Sequence, residues 1–208
     1  MEGTIFGGSG GAMTGPLLAA VPAVRSLALV GFLVLSSCAA HGPRPLPSAD
    51  DAAPPLAATT TCTRANMETA ACEDLRRAAL GDADTGSTSV ERALEWLDDG
   101  VMGNRARLHR GYRADSTGLL AMAWAQSADL VDGNEPPPAP ESTPLPGTDS
   151  LAPGDALESH GHALLFGGWT DAERTSAIVL TQPDVGPAAM HAVPRSSLEA
   201  WTPVRRPR

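Results

Sequence analysis

Ser116 and His162 are the two residues of this chain whose types and surroundings suit covalent chemistry. Ser116 opens an apolar segment of helical spacing. A hydroxyl at the start of a helix lies in the positive end of the helix dipole, which favours an anion or a nucleophile. His162 falls in a predicted strand, and histidine is the side chain that most often serves as a general base. These two residues are therefore the candidates for chemistry in this chain. The simpler roles are a helix-capping serine and a structural strand histidine.

Three helices followed by a run of strands would position these two residues. Hydrophobic spacing and capping residues, with Asn66 as the first cap, predict helices over residues 66–80, 88–100 and 116–128. Residues 101–113 and 132–150 are interpreted as loops. Helices followed by strands indicate an α+β fold, with the helices packed on a small antiparallel sheet. Short segments between turn residues predict the strands: Ala156–His160, Gly161–Trp169, Ser176–Gln182, Met190–Val193 and Thr202–Arg205.

Charged side chains crowd the approach to the third helix. Asp115 would either cap this helix or pair with Arg113. The arginines of the preceding loop would either recognise carboxylates of a ligand or remain solvated. These arginines are Arg105, Arg107, Arg110 and Arg113.

A metal site is not predicted. His160 and His162 share one face of their strand by the period of two, which is the geometry of a metal-binding pair. No clear third ligand accompanies them in the sequence. We also expect no cofactor.

Length and charge limit the classes of protein to consider. The chain has 208 residues, which suits one domain with appendages. It carries 24 acidic and 15 basic side chains, giving a formal net charge of −9. An acidic chain is a poor general ligand for nucleic acid, so no nucleic-acid partner is expected.

The N-terminal region predicts a secretory signal. Residues 26–35 form an apolar run that follows Arg25 and is too short to span a bilayer. The run ends in Leu35-Ser36-Ser37-Cys38, which resembles the bacterial lipobox, in which the cysteine is acylated and becomes the new N-terminus. We therefore predict a lipoprotein signal peptide over residues 1–37, with translation starting at Met1 or Met13. The alternative is an ordinary signal peptide in which Cys38 is incidental.

Lipidation of Cys38 would place the protein in the bacterial cell envelope, anchored to a membrane. Ala39, rather than an aspartate, follows Cys38, which resembles the sorting signal for the outer membrane in a bacterium with two membranes. Residues 38–60 are rich in Ala, Pro and Thr and are interpreted as a disordered tether. A helical lead-in over residues 61–87 would follow the tether.

The other two cysteines lie in the lead-in. In an oxidising compartment, pairing of Cys62 with Cys72 is the default expectation. The alternative is a pair of free thiols, with Cys72 buried on a helix face.

The order of motifs over residues 88–208 resembles the NlpC-type cell-wall peptidases, a compact papain-like family. The resemblance rests on three features: the Asp115-Ser116-Thr117-Gly118 helix start, Pro153-Gly154-Asp155 before a strand, and Gly161-His162 opening the next strand. The resemblance implies that Ser116 stands where the family has its nucleophilic cysteine and that His162 stands at the base position. It also implies that Thr181 or Gln182 stands at the position that orients the histidine.

Two departures from the family pattern decide the expected function. A serine hydroxyl is not ionised by a helix N-terminus as a thiol is, so Ser116 would need a true general base. Met102-Gly103 stands where the family usually has Pro-Tyr, so a cleft-lining aromatic is missing. We therefore expect a degenerate domain that binds a peptidoglycan stem peptide or an envelope protein without cleavage, with Asp115 and Arg113 as ligand-binding residues. The alternatives are an active hydrolase using Ser116 and a purely structural envelope lipoprotein.

Overall fold

The computed structural model of the protein describes residues 52–81, 88–128 and 140–206. The predicted signal peptide, the acylation site at Cys38 and most of the predicted tether lie outside these ranges. Within them, none of the helices has the length and apolar content needed to cross a bilayer.

An antiparallel sheet of seven strands forms the centre of the described part of the chain. The strands are β1 (Thr60–Cys62), β2 (Met102–His109), β3 (Tyr112–Ala114), β4 (Thr143–Pro144), β5 (Ala156–Ser159), β6 (His162–Trp169), β7 (Ser176–Thr181), β8 (Gly186–Pro187), β9 (Ala189–Pro194) and β10 (Thr202–Arg205). The central sheet has the order β1-β9-β7-β6-β5-β10-β4, so β5, β6, β7 and β9 form its middle and strands distant in sequence flank them. A second sheet of three strands has the order β3-β2-β8.

Strand alternation divides the apolar core into two layers. In β6, Ala163 and Leu165 belong to the cluster that the helices complete, whereas Leu164 and Phe166 belong to a cluster with Trp201 on the opposite face. We call these the helix-side face and the loop-side face of the sheet. The helices are α1 (Ala70–Leu80), α2 (Thr88–Asp98) and α3 (Ser116–Ala123), and each contributes buried residues to the helix-side cluster. The α+β fold class and the antiparallel sheet are thus confirmed.

The lead-in to the helices is joined to the sheet by a covalent bond. Cys62 at the end of β1 forms a disulfide with Cys72 in α1, as predicted. β1 itself, which begins at the last residue assigned to the tether, pairs with β9. Asn66 does not start the first helix, because its side chain accepts from the Thr63 N–H and donates to the Thr61 carbonyl in the turn before it. α1 instead begins at Ala70.

The loop predicted over residues 101–113 is wrong. This segment forms the hairpin of β2 and β3, and β2 also pairs with β8. Nearly every residue of β2 is exposed, so the strand has no alternation of apolar and polar residues that could reveal it. The third helix is also shorter than predicted, because α3 ends at Ala123 and Ala125 adopts a positive φ of 50°.

Candidate functional site

The N-terminus of α3 is fixed by Asp115. Its carboxylate accepts the backbone N–H of Gly118 at 2.9 Å and the Thr117 hydroxyl at 2.8 Å, which confirms the predicted cap. Asp115 also pairs with Arg113 of β3, so both interactions considered for this carboxylate occur together. Gly118 is required here, since a Cβ at this position would lie 1.8 Å from the Arg113 carbonyl oxygen. The helix start is therefore clamped closely against β3.

Ser116 lies at the interface between α3 and the central sheet. Its side chain is 6% exposed, and its Oγ accepts the backbone N–H of Ala163 at a distance of 3.2 Å. Ala163 lies beyond the last registered pair between β6 and β7, which joins Leu165 to Leu180. The hydroxyl therefore satisfies a buried strand N–H where the β6–β7 pairing has ended. Ser116 therefore has a structural role, and the residue that it contacts directly follows His162 in the sequence.

His162 is the first residue of β6 and pairs in register with Ser159 across the β5–β6 hairpin. In the alternation of β6 it belongs with Leu164 and Phe166, whereas Ala163 belongs to the helix-side set that faces α3. His162 also lines a groove of about 210 Å³ together with Thr117, the residue after Ser116. The structure thus places Ser116 and His162 in one region. The backbone N–H of Ala163 is the group that contacts the serine hydroxyl. A catalytic Ser116–His162 dyad stays a prediction.

The two candidates for the orienting position lie on different faces of the sheet. Gln182 is buried and its side-chain oxygen accepts the Trp96 indole N–H at 2.8 Å, while its amide donates to the Pro183 and Gly186 carbonyls. Thr181 lies next to His191, with 3.0 Å between its hydroxyl and Nε2 of the ring. Both side chains have structural partners that the sequence did not indicate.

His191 is a partly buried titratable group that the sequence pattern did not indicate. Its Nδ1 lies 3.0 Å from the Thr61 hydroxyl and its Nε2 lies 3.0 Å from the Thr181 hydroxyl, which links β1, β9 and β7. Burial lowers the pKa of His191 from its usual value. The lowered pKa favours the neutral ring. Its contacts with Thr61 and Thr181 join the three strands.

Three of the four arginines before α3 are paired with acidic side chains. Arg105 pairs with Asp184, Arg110 with Glu95 and Asp99, and Arg113 with Asp115. Their charges are therefore largely used within the protein, which favours the structural interpretation of this cluster over the recognition of a ligand carboxylate.

The prediction that His160 and His162 share one face of a strand is wrong. His160 lies in the two-residue turn of the β5–β6 hairpin, with a positive φ of 48°, so the alternation of a strand does not apply to it. Within the described residues, no group of three His, Cys, Asp or Glu side chains is arranged to hold a metal ion.

Glu158 of β5 is the residue of the groove that the sequence analysis did not identify. It lies in register with Ala163, on the helix-side face, and its carboxylate accepts a hydrogen bond of 3.4 Å from the Ser142 hydroxyl. Burial raises the pKa of the Glu158 carboxyl, an effect that this hydrogen bond opposes. The available signal was a single charged residue directly after the buried Ala156-Leu157 of a short strand.

Comparisons with known proteins give no family for this chain. No protein-family model, no curated protein and no solved structure matches it. The site therefore defines the molecule only as an α+β protein with a capped helix start beside a groove at one end of an antiparallel sheet.

Proposed function

We propose that this chain carries a degenerate papain-like domain of the NlpC type, which binds a cell-wall stem peptide without cleaving it. The observation that carries the proposal is the state of Ser116. Its side chain is 6% exposed and its hydroxyl accepts the Ala163 N–H, so it is engaged in the packing of α3 on β6. A serine nucleophile needs an oxygen that the substrate can reach, and a hydroxyl held in this packing is poorly placed for attack.

The groove beside α3 supports the binding part of the proposal. It is lined by Leu120 and Ala163, which are apolar, and by Thr117, Glu158 and His160, which offer hydrogen-bonding groups. A concave surface with a few polar groups on an apolar floor is the usual form of a binding site for a peptide side chain. The order of the capped helix, Pro153-Gly154-Asp155 and the histidine-bearing strand supports the family assignment.

A stem-peptide titration with a parallel cleavage assay tests both parts of the proposal. We expect resonance shifts of the backbone amides near Ser116 and Ala163 on addition of peptide, and no new fragments after prolonged incubation. Cleavage that disappears in Ser116→Ala would overturn the proposal in favour of the serine hydrolase. Absence of any resonance shift would favour a structural envelope protein.

The thiol form of the site provides a second test. In Ser116→Cys a buried sulfur should react slowly with iodoacetamide at low pH, because burial disfavours the charged thiolate. Rapid alkylation at low pH, or recovered peptidase activity, would mean that the catalytic arrangement of the family is intact.

The membrane anchor is a separate part of the proposal. Cys38 would carry the lipid and hold the domain in the cell envelope through the tether, at the outer membrane where two membranes exist. Cys38→Ala should leave an unprocessed precursor and change its partitioning into detergent. Unchanged processing and partitioning would refute lipidation.

A further inference from the structure

We propose that the groove beside α3 binds a primary ammonium group on an aliphatic stem, with Glu158 as the residue that contacts the charge. This inference rests on the proposed function, because it names the chemical group of the peptide that the groove would take. It depends on three observations: the position of one carboxylate, the distribution of charge around it, and the apolar walls next to it.

The position of Glu158 directs its side chain into the groove. It lies in register with Ala163 on β6, and Ala156 and Leu165, one pair further along the same hairpin, belong to the helix-side cluster. Glu158 therefore lies on the face that α3 covers, and it lines the groove together with Thr117 and Leu120 of that helix. Its partial burial raises the pKa of its carboxyl, which means that the charged form is poorly compensated within the protein.

Two other acidic residues, Asp115 and Asp155, are neutralised by arginines, whereas Glu158 is not. Asp115 pairs with Arg113, and Asp155 pairs with Arg205 through two hydrogen bonds of 2.7 and 2.6 Å. Among the described residues, Glu158 forms no ion pair with an arginine or a histidine. The chain has no Arg, Lys or His between Arg113 and His160. A cation from outside would therefore complete the site.

The size and walls of the groove specify the rest of the ligand. Its volume is about 210 Å³, below the roughly 300–1,000 Å³ of pockets that take drug-sized ligands, so it suits one small group. Leu120, Pro140 and Ala163 supply apolar surface beside the carboxylate. An alkyl stem of a few carbons would cover these walls while its ammonium group meets Glu158, which combines apolar burial with a charge-assisted hydrogen bond.

A titration of the full chain with n-butylammonium tests the inference directly. The measurement is carried out at pH 8, where carboxyl groups are ordinarily ionised and a primary amine keeps its charge. We expect saturable shifts of the Gly161 and Ala163 amide resonances, and no saturable shifts with n-butanol, the neutral analogue. Equal binding of the two compounds would overturn the inference, because the charge would then contribute nothing.

A matched pair of variants assigns the binding to Glu158. Glu158→Gln should weaken n-butylammonium binding at least fivefold, whereas Glu173→Gln, at an exposed position after β6, should leave it unchanged. Equal weakening by both variants, or no weakening by the first, would overturn the assignment. The comparison of amine with alcohol uses the unaltered protein, so it decides the inference even where the Gln variant does not fold.

Stem peptides separate this inference from the proposed function. A peptide with a free amine should bind more tightly than the same peptide acetylated at that amine, and Glu158→Gln should remove the difference. Equal binding of both peptides overturns the amine site and leaves peptide binding standing. Binding of n-butylammonium without binding of either peptide supports the amine site and overturns the cell-wall proposal.

Discussion

Replacing Ser116 by alanine distinguishes a structural serine from a poised nucleophile by the sign of its effect on stability. The substitution removes the oxygen that accepts the Ala163 N–H at 3.2 Å. The helix cap survives, because Asp115 still accepts the Gly118 N–H. Ala163 is 4% exposed, so water does not readily replace the lost acceptor. A buried donor left without a partner costs about 1–3 kcal/mol.

Urea denaturation under non-reducing conditions measures this cost. With a denaturant slope of about 2 kcal/mol per molar and a loss of about 1.5 kcal/mol, the midpoint should fall by roughly 0.75 M. Ser196→Ala, at an exposed position, is the control and should leave the midpoint unchanged. Active-site residues are commonly selected at the expense of stability, so removing a nucleophile tends to leave a protein equally or more stable. An unchanged or raised midpoint in Ser116→Ala would therefore refute the structural role.

Three further predictions concern other parts of the fold. Removing the Cys62–Cys72 disulfide, which joins residues 10 apart, should lower the free energy of unfolding by about 2–3 kcal/mol in the chain-entropy model, as measured by melting with and without reductant. Gly118→Ala should cost about 3 kcal/mol, the upper end of the usual range for overpacking, measured by urea denaturation, because its Cβ would overlap the Arg113 carbonyl oxygen. Because burial lowers the pKa of His191, the unfolded state binds a proton that the folded state resists. Stability should therefore fall as the pH decreases below about 6.5, and His191→Gln should reduce this slope.

For each of these three predictions, one outcome of the measurement would contradict it. Identical melting curves with and without reductant would show that the disulfide does not constrain the chain. Gly147→Ala is the matched control for Gly118→Ala, since nothing lies within 4 Å of a Cβ built at Gly147. Equal losses for the two glycines would remove the steric argument. For His191, equal dependence of stability on pH in both proteins would show that another group causes the acid loss.

The parts of the fold that the sequence predicted are those with local signals. β5, β6, β7 and β10 are apolar segments bounded by turn residues, and their predicted ranges differ from the observed ones by at most one residue at an end. The cap at Asp115 follows from one side chain and the next three residues, and the disulfide follows from two cysteines in a predicted exported chain. None of these requires knowledge of a distant partner.

The parts that the sequence missed depend on distant partners or lack apolar contrast. β2 is exposed along its length, with Met102 58% and Leu108 51% exposed, so its pattern does not distinguish a strand from a loop. β1 is a three-residue strand whose pairing with β9 joins residues about 130 positions apart. A short segment of Thr and Cys carries no signal of such a distant partner.

The candidate site was partly predictable, because some of its features have local signals and others depend on distant residues. The helix start and the strand of His162 were found from local pattern, but the acceptor role of Ser116 depends on a residue 47 positions away. The one-residue difference between His162 and Ala163 reverses the face of the sheet, and only the register of β6 against its neighbours decides it. Glu158 could not be assigned to a groove before the position of α3 was known.

The disulfide at the end of β1 also determines how the domain responds to mechanical tension. β1 is the first strand and lies at one edge of the seven-stranded sheet, so a pull on the N-terminal side of the domain arrives there. The bond from Cys62 to Cys72 transmits that tension directly to α1, so the nine residues between the two cysteines carry no load. The edge strand and the first helix should therefore resist extension as one unit, and the turn between them should lengthen only in the reduced protein.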